Sequence, residues 1–251
     1  MLAIPEPTSF DLNFRLLGIP VRINPFFWAA AAFLGWQSHD GFELLTWIAC
    51  VFVSILVHEY GHGLTIMALS SQRPRIVFHY LGGLCVPERE QRSPWRQVLV
   101  SLMGPGAGFL LFGVVAVAGT VVLGITPFRG RMVHLPPSWY TPSVAQIYED
   151  LIFINLYWGL FNLMPIYPLD GGQVTGVLLT MRDRRRGAAW GHIVSMAAAG
   201  LLALYVYQQG ATTTALFLAY LGLINFQLYQ AAKYQGTFGG SAEEDDDWWR
   251  R

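Results

Sequence analysis

Five stretches of this chain are apolar for about the 20 residues that a helix needs to cross a bilayer. They run over residues 44–69, 98–123, 147–164, 188–207 and 216–232. A sixth, residues 25–36, is short and reaches full length only if flanking residues join it or the bilayer thins around it. Helices of this kind lack the polar face that a soluble bundle turns to water, which argues against a soluble helical bundle. Composition agrees, because 53% hydrophobic and only 13% charged residues lie outside the range of soluble domains. The expected fold class is an all-α polytopic membrane protein of about six transmembrane helices.

Charge placement orients those helices. In the six-span arrangement fourteen of the 16 Lys and Arg residues fall on one side and only Arg129 and Arg131 on the other. Cationic loops stay on the cytoplasmic side, which sets both termini there and makes the cell membrane the expected location. Dropping the first span would move Arg15 and Arg22 outside and break the agreement. The formal net charge is +0, so there is no basic field to gather nucleic acid. Two cysteines, Cys50 in an apolar run and Cys85 in a Gly-rich one, make neither a disulfide framework nor a metal pair.

Between the spans, residues 73–92 mix Ile76, Val77, Phe78 and Tyr80 with Gly82, Gly83 and Pro87. This pattern predicts short strands and a turn, on the cytoplasmic side or dipping into the bilayer. Residues 1–24 form a cytoplasmic N-terminal segment whose Pro5, Glu6, Pro7 and Asp11 do not fit a cleaved signal peptide. Residues 25–235 form the membrane domain. Residues 236–251, Gly-rich and then acidic, cannot bury a core and form a flexible tail.

The chemistry is concentrated in two segments. The second span contains HEYGH, with His58, Glu59 and His62 in an otherwise apolar helix. Histidines four apart share a helical face, so both imidazoles reach one metal ion, and Glu59 reaches a water on that ion without being a ligand. Ionisable groups inside a membrane helix are costly and mark function, although they also serve to bond neighbouring helices. A hydrolytic metal site takes three protein ligands. Asp170, in NLMPIYPLDGGQ (residues 162–173), is the candidate third, where Pro165 and Pro168 break the helix and Gly171 and Gly172 allow a close approach. Read as structure alone, Asp170 is a turn or N-cap residue. Counted along their helices at 1.5 Å per residue, His58 and Asp170 reach the same side of the bilayer.

With HEYGH in one span, NLMPIYPLDGG in a later one, SLMGPGAGF (residues 101–109) between them and GIPVRINPFF (residues 18–27) at the start, the sequence resembles the site-2 protease family of intramembrane zinc metalloproteases. The resemblance covers roughly residues 18–180. Asn24 stands where the family often has His, and Gln173 where many members have a basic residue. The resemblance implies a three-helix catalytic core with one zinc ion held by His58, His62 and Asp170, and Glu59 as general base. It further implies that Asn162 helps hold the substrate and that residues 73–92 form the strand region to which a substrate is added as an extended strand. The expected partners are a transmembrane protein substrate and the lipid bilayer. No segment has the size of a PDZ or CBS domain, so a minimal form is expected. The expected activity is endoproteolysis in or near a transmembrane segment of a membrane-bound regulatory protein. The alternative is a protease-inactive zinc-binding protein or metal transporter, against which an intact Glu59 argues. A protease with a glutamate third ligand is also disfavoured, since Glu88, Glu90, Glu149 and Asp150 fall in loops or at the external end.

Overall fold

The computed structural model describes residues 6–35, 40–89, 91, 93–127 and 141–238. Arg129, Arg131, His39, His134 and the acidic tail beyond residue 238 lie outside the described residues. Among these described residues, seven α-helices and one small sheet follow in the order β1, β2, α1, α2, β3, β4, α3, α4, α5, α6, α7. They divide into two compact units, residues 1–91 with 102–161, and residues 92–101 with 162–251.

In the first unit, β1 (Leu12–Leu16) and β2 (Ile19–Ile23) form an antiparallel hairpin. They lead into α1 (Pro25–Leu34), which Asn24 caps by accepting from Phe26 N–H, with Pro25 at the first helical position. Then comes α2 (Gly41–Leu69), a 29-residue helix begun by an Asp40 cap. Beyond it, β3 (Arg75–His79) returns to pair parallel with β2, setting Val21 opposite Ile76, and β4 (Gly82–Val86) pairs antiparallel with β3. The sheet order is therefore β1-β2-β3-β4. Side chains of a strand alternate between faces, so β2 buries Ile19, Val21 and Ile23 while Pro20 and Arg22 point the other way. These residues join Phe27, Phe78, Ile76 and the apolar face of α2 in one core, with Phe27 edge-on to Phe78 at 4.9 Å between ring centroids.

Only residues 73–92 were expected to form strands, and the sheet is twice as wide. Each N-terminal strand has five residues, too short to stand out in a sequence, and β2 is ordered by β3 some fifty positions away. Such pairing is non-local and leaves no periodic signal longer than a few residues.

Continuing the chain, α3 (Pro94–Ala118) runs into a π-helical turn over Gly119–Leu123 and α4 (Pro142–Asn162) follows, residues 102–161 of this stretch belonging to the first unit. In the second unit α5 (Asp170–Arg182) precedes α6 (Gly187–Gln208) and α7 (Thr212–Phe238). Among the described residues, four helical stretches are long and apolar enough to cross a bilayer: Gly41–Leu69, Pro94–Leu123, Gly187–Gln208 and Thr212–Lys233. The chain is thus an integral membrane protein of mainly helical fold. Two further spans expected from the sequence are weaker by that measure. The ten residues of α1 rise about 15 Å, half a hydrocarbon core. The 21-residue α4 carries Glu149 and Asp150 and is less apolar than the four.

Candidate metal centre

The buried residues of α2 include Val51, Ile55, His58, His62 and Ile66, three or four apart, so they make one stripe along the helix. Its upper part continues the apolar core, and its lower part carries the two histidines. Their Nε2 atoms face each other at 3.2 Å, and the rings meet nearly edge to face at 79°. Two nitrogens bound to one tetrahedral zinc at 2.0–2.1 Å would stand about 3.3 Å apart, so the pair fits that ion as it lies. Glu59 completes the group, with one ligand atom from each residue lying within 4.8 Å of the others. All three side chains are buried, at 3% exposure for His58, 5% for Glu59 and 8% for His62.

Two glycines leave the room that this cluster occupies. A Cβ on Gly83 of β4 would stand 2.7 Å from Oε1 of Glu59, so the strand runs directly over the carboxylate. A Cβ on Gly104 of α3 would collide with Nε2 of His62. Gly104 belongs to the Gly-Pro segment singled out in the sequence, and its smallness is what brings α3 against the histidine pair. One turn before His58, the Ser54 hydroxyl accepts from Asn155 Nδ2 of α4 at 2.9 Å, both residues 2% exposed. On the far flank, the Tyr60 hydroxyl donates to the Leu16 carbonyl at 2.7 Å and ties α2 to the β1–β2 hairpin. The helix bearing the candidate ligands is therefore fixed on several sides.

His79 makes a local structural contact. It is buried in β3, its Nδ1 accepts from Leu81 N–H at 3.1 Å, and it closes the turn into β4.

Asp170 and Asn162 belong to the second unit. Asn162 ends α4 at 7% exposure. Asp170 is the first residue of α5 at 6% exposure, preceded by Leu169 as a cap that makes no side-chain bond. A carboxylate in a first turn favours the helix through its dipole. The residues between them fold into tight turns, with Ile166 N–H donating to the Met164 carbonyl at 2.7 Å and Leu169 N–H to the Ile166 carbonyl at 2.8 Å. The sequence places Asp170 at a turn or N-cap, and the structure makes it the first residue of α5 with Leu169 as the cap. The sequence reading missed Ser54, Asn155, Ser195 and Asn225, all buried polar residues on helices. Their signal was available as isolated Ser and Asn in apolar runs, where such side chains bond across helices.

Comparison with known proteins places this architecture. Residues 46–206 match the family model described as Peptidase family M50. A Synechocystis protein provisionally named a zinc metalloprotease is 36% identical over 124 residues, 49% of this chain and 28% of its own. The zinc metalloprotease MJ0392 of Methanocaldococcus jannaschii is 24% identical over 67% of this chain and 45% of its own. Stage IV sporulation protein FB of Bacillus subtilis is 25% identical over 64% of this chain and 48% of its own. The chain thus spans less than half the length of each of these relatives. Among solved structures, the site-2 protease from Methanocaldococcus jannaschii has the same fold, with TM-score 0.55 at 19% identity over 90% of this chain and 95% of that one. With the family model spanning both the HEYGH helix and the LDGG segment, this chain belongs to peptidase family M50, the family of the site-2 proteases.

Proposed function

We propose that this protein is an intramembrane zinc endopeptidase that cuts a membrane-bound regulatory protein in or near its transmembrane segment. The observation that carries the reading is the buried group in α2, two imidazole nitrogens 3.2 Å apart with a carboxylate beside them in an apolar helix. Three ionisable side chains in a membrane helix carry a cost that a bound cation offsets. In this reading His58, His62 and Asp170 hold one zinc ion. When bound, zinc supplies a Lewis acid that polarises the scissile carbonyl and acidifies water. Glu59 takes the proton of the attacking water through its carboxylate and returns it to the leaving amine. Asn162 contacts the substrate backbone.

The substrate must arrive extended, because a helical peptide bond is shielded by its own turns. β4 is an outer strand of the sheet, paired on one side with β3, and its Gly83 lies against Glu59. An added strand at that edge would run past the general base. The topology proposed with this function has six spans, α1 and α4 among them, within a metalloprotease domain of residues 25–235. Both termini and the cleaved product are then on the cytoplasmic side of the cell membrane, and residues 236–251 form a flexible acidic tail.

Glu59→Gln tests the assignment, since it keeps the shape of the side chain and removes the base. Incubated with a helix-destabilised transmembrane substrate in detergent or vesicles, the variant should bind zinc like the wild type and cleave about 10²–10⁴-fold more slowly. Full activity in Glu59→Gln would overturn the general-base role. Bound zinc with no cleavage by the wild type would favour a non-enzymatic zinc-binding protein.

A further inference from the structure

The backbone that leads into Asp170 is held by side chains from two other helices. Tyr167, three residues before Asp170, donates its N–H to the Ser195 hydroxyl of α6 at 3.0 Å. Its carbonyl accepts from Asn225 Nδ2 of α7 at 2.6 Å. Both groups are fully committed. The Ser195 hydroxyl spends its proton on the Gly191 carbonyl at 2.9 Å, leaving its lone pairs to Tyr167. Asn225 gives its second amide proton to the Leu221 carbonyl at 2.9 Å. Its Oδ1 is then the acceptor facing His192 Nδ1 at 2.9 Å, so that nitrogen carries the proton. His192 in turn stands edge-on to the Tyr167 ring at 5.6 Å. Ser195 and Asn225 are each 0% exposed.

We infer that Ser195 and Asn225 are positioning residues for the Asp170 carboxylate, and that α6 and α7 serve the metal centre as well as anchoring the chain. The inference rests on the reading of Asp170 as a zinc ligand. Its physical basis is the scarcity of backbone partners. Pro165 and Pro168 interrupt regular helix between α4 and α5, and inside a membrane protein each freed N–H and C=O must find a partner within the protein. At Tyr167 both partners come from the last two helices, and the backbone there has one orientation that satisfies both. Asp170 begins α5 only three residues later, with the Leu169 N–H bonded back to the Ile166 carbonyl. A shift at Tyr167 is therefore transmitted to the start of α5. Groups that orient metal ligands from behind typically change metal affinity when removed.

The test compares zinc affinity, by chelator competition on the full detergent-purified chain, with the visible absorption of the same protein loaded with cobalt in place of zinc. The variants are Ser195→Ala, Asn225→Ala, Asp170→Ala and Leu218→Ala. Leu218 is a fully buried α7 residue outside the network, so its variant lowers the melting temperature without touching Tyr167. The expected result is a dissociation constant for zinc raised about 10–100-fold in Ser195→Ala and Asn225→Ala, more in Asp170→Ala, and unchanged in Leu218→Ala. The cobalt spectrum should shift in the first two and stay as in wild type in the last. If Ser195→Ala and Asn225→Ala kept wild-type affinity and spectrum while Asp170→Ala lost them, the positioning role would be wrong and the ligand would stand. Unchanged affinity in Asp170→Ala would overturn the ligand reading and this inference with it. Equal weakening in Leu218→Ala would reduce the effect to general loss of stability and overturn the inference alone.

Discussion

The two segments that carry the candidate chemistry are built on opposite backbones. His58 and His62 lie in the middle of a regular 29-residue helix, where every peptide group near them bonds along the helix axis. Their mutual distance is a property of the helix itself, and neighbouring elements only leave room for it, as Gly104 and Gly83 do. Asp170 follows a stretch broken by two prolines, where the peptide groups of Tyr167 depend on Ser195 and Asn225. One segment is rigid by local rule and the other by distant partners. Mutations in the helix should therefore act on ligands and sterics, and mutations around the proline segment should act through hydrogen bonds made elsewhere.

The largest effect is expected from His62→Ala. Removing an imidazole from the pair should lower zinc affinity by more than about a hundredfold, beyond what removing a supporting group does, and cleavage should go with it. Zinc content after dialysis against a buffered zinc solution checks this, and retention of one zinc per chain would break the comparison. Next comes Gly104→Ala. The new methyl meets His62 Nε2, so the ring must move, at a cost of about 1–3 kcal/mol for overpacking. Melting in detergent should report that cost while zinc affinity drops, and an unchanged affinity would mean that α3 yields instead of the histidine.

Ser54→Ala should be milder. It removes the Asn155 bond between α2 and α4, and buried bonds between membrane helices contribute about 0.6–2 kcal/mol. Because the helical geometry of the histidines survives, cleavage per folded molecule should stay at the wild-type rate, measured beside a thermal melt. A loss of cleavage larger than the loss of folded protein would show that α2 needs this clamp for catalysis.

The smallest effect is a pH dependence far from the site. The Thr8 hydroxyl, then the Thr8 N–H, Arg22 and Asn24, hold the Asp11 carboxyl below the usual carboxylate range. A group depressed on folding stabilises the protein above its unfolded pKa, and that contribution disappears as pH falls through the folded value. Asp11→Asn should therefore lower stability slightly at neutral pH and flatten the acid limb of the stability–pH curve, so that variant and wild type converge below about pH 4. A curve that coincides with wild type at neutral pH and keeps the same acid limb would mean that the β1–β2 hairpin opens before the rest unfolds.

The same division explains what was legible in the sequence. The long helices show as unbroken apolar runs, four of which the structure bears out as long and apolar enough to cross a bilayer. The HEYGH face follows from the 3.6-residue period, and the strands in residues 73–92 from β-branched and aromatic residues beside glycines. The boundaries held closely as well, with residues 44–69 expected where α2 runs Gly41–Leu69. What escaped was non-local. β1 and β2 are five-residue strands organised by a parallel partner beyond two helices. α5 begins at Asp170 because the chain before it is held by Ser195 and Asn225, residues 25 and 55 positions downstream. A lone serine or asparagine in an apolar run announces a bond across helices but not its partner. The bond of His192 to Asn225, and its reach into the Asp170 segment, likewise have no local signature.

The most direct test of the account is X-ray absorption at the zinc edge of the detergent-purified wild-type protein. The account predicts one zinc per chain, with two imidazole rings visible in the outer scattering and oxygen donors completing the set. Zinc bound through sulfur, through a single imidazole, or not retained at all would contradict it.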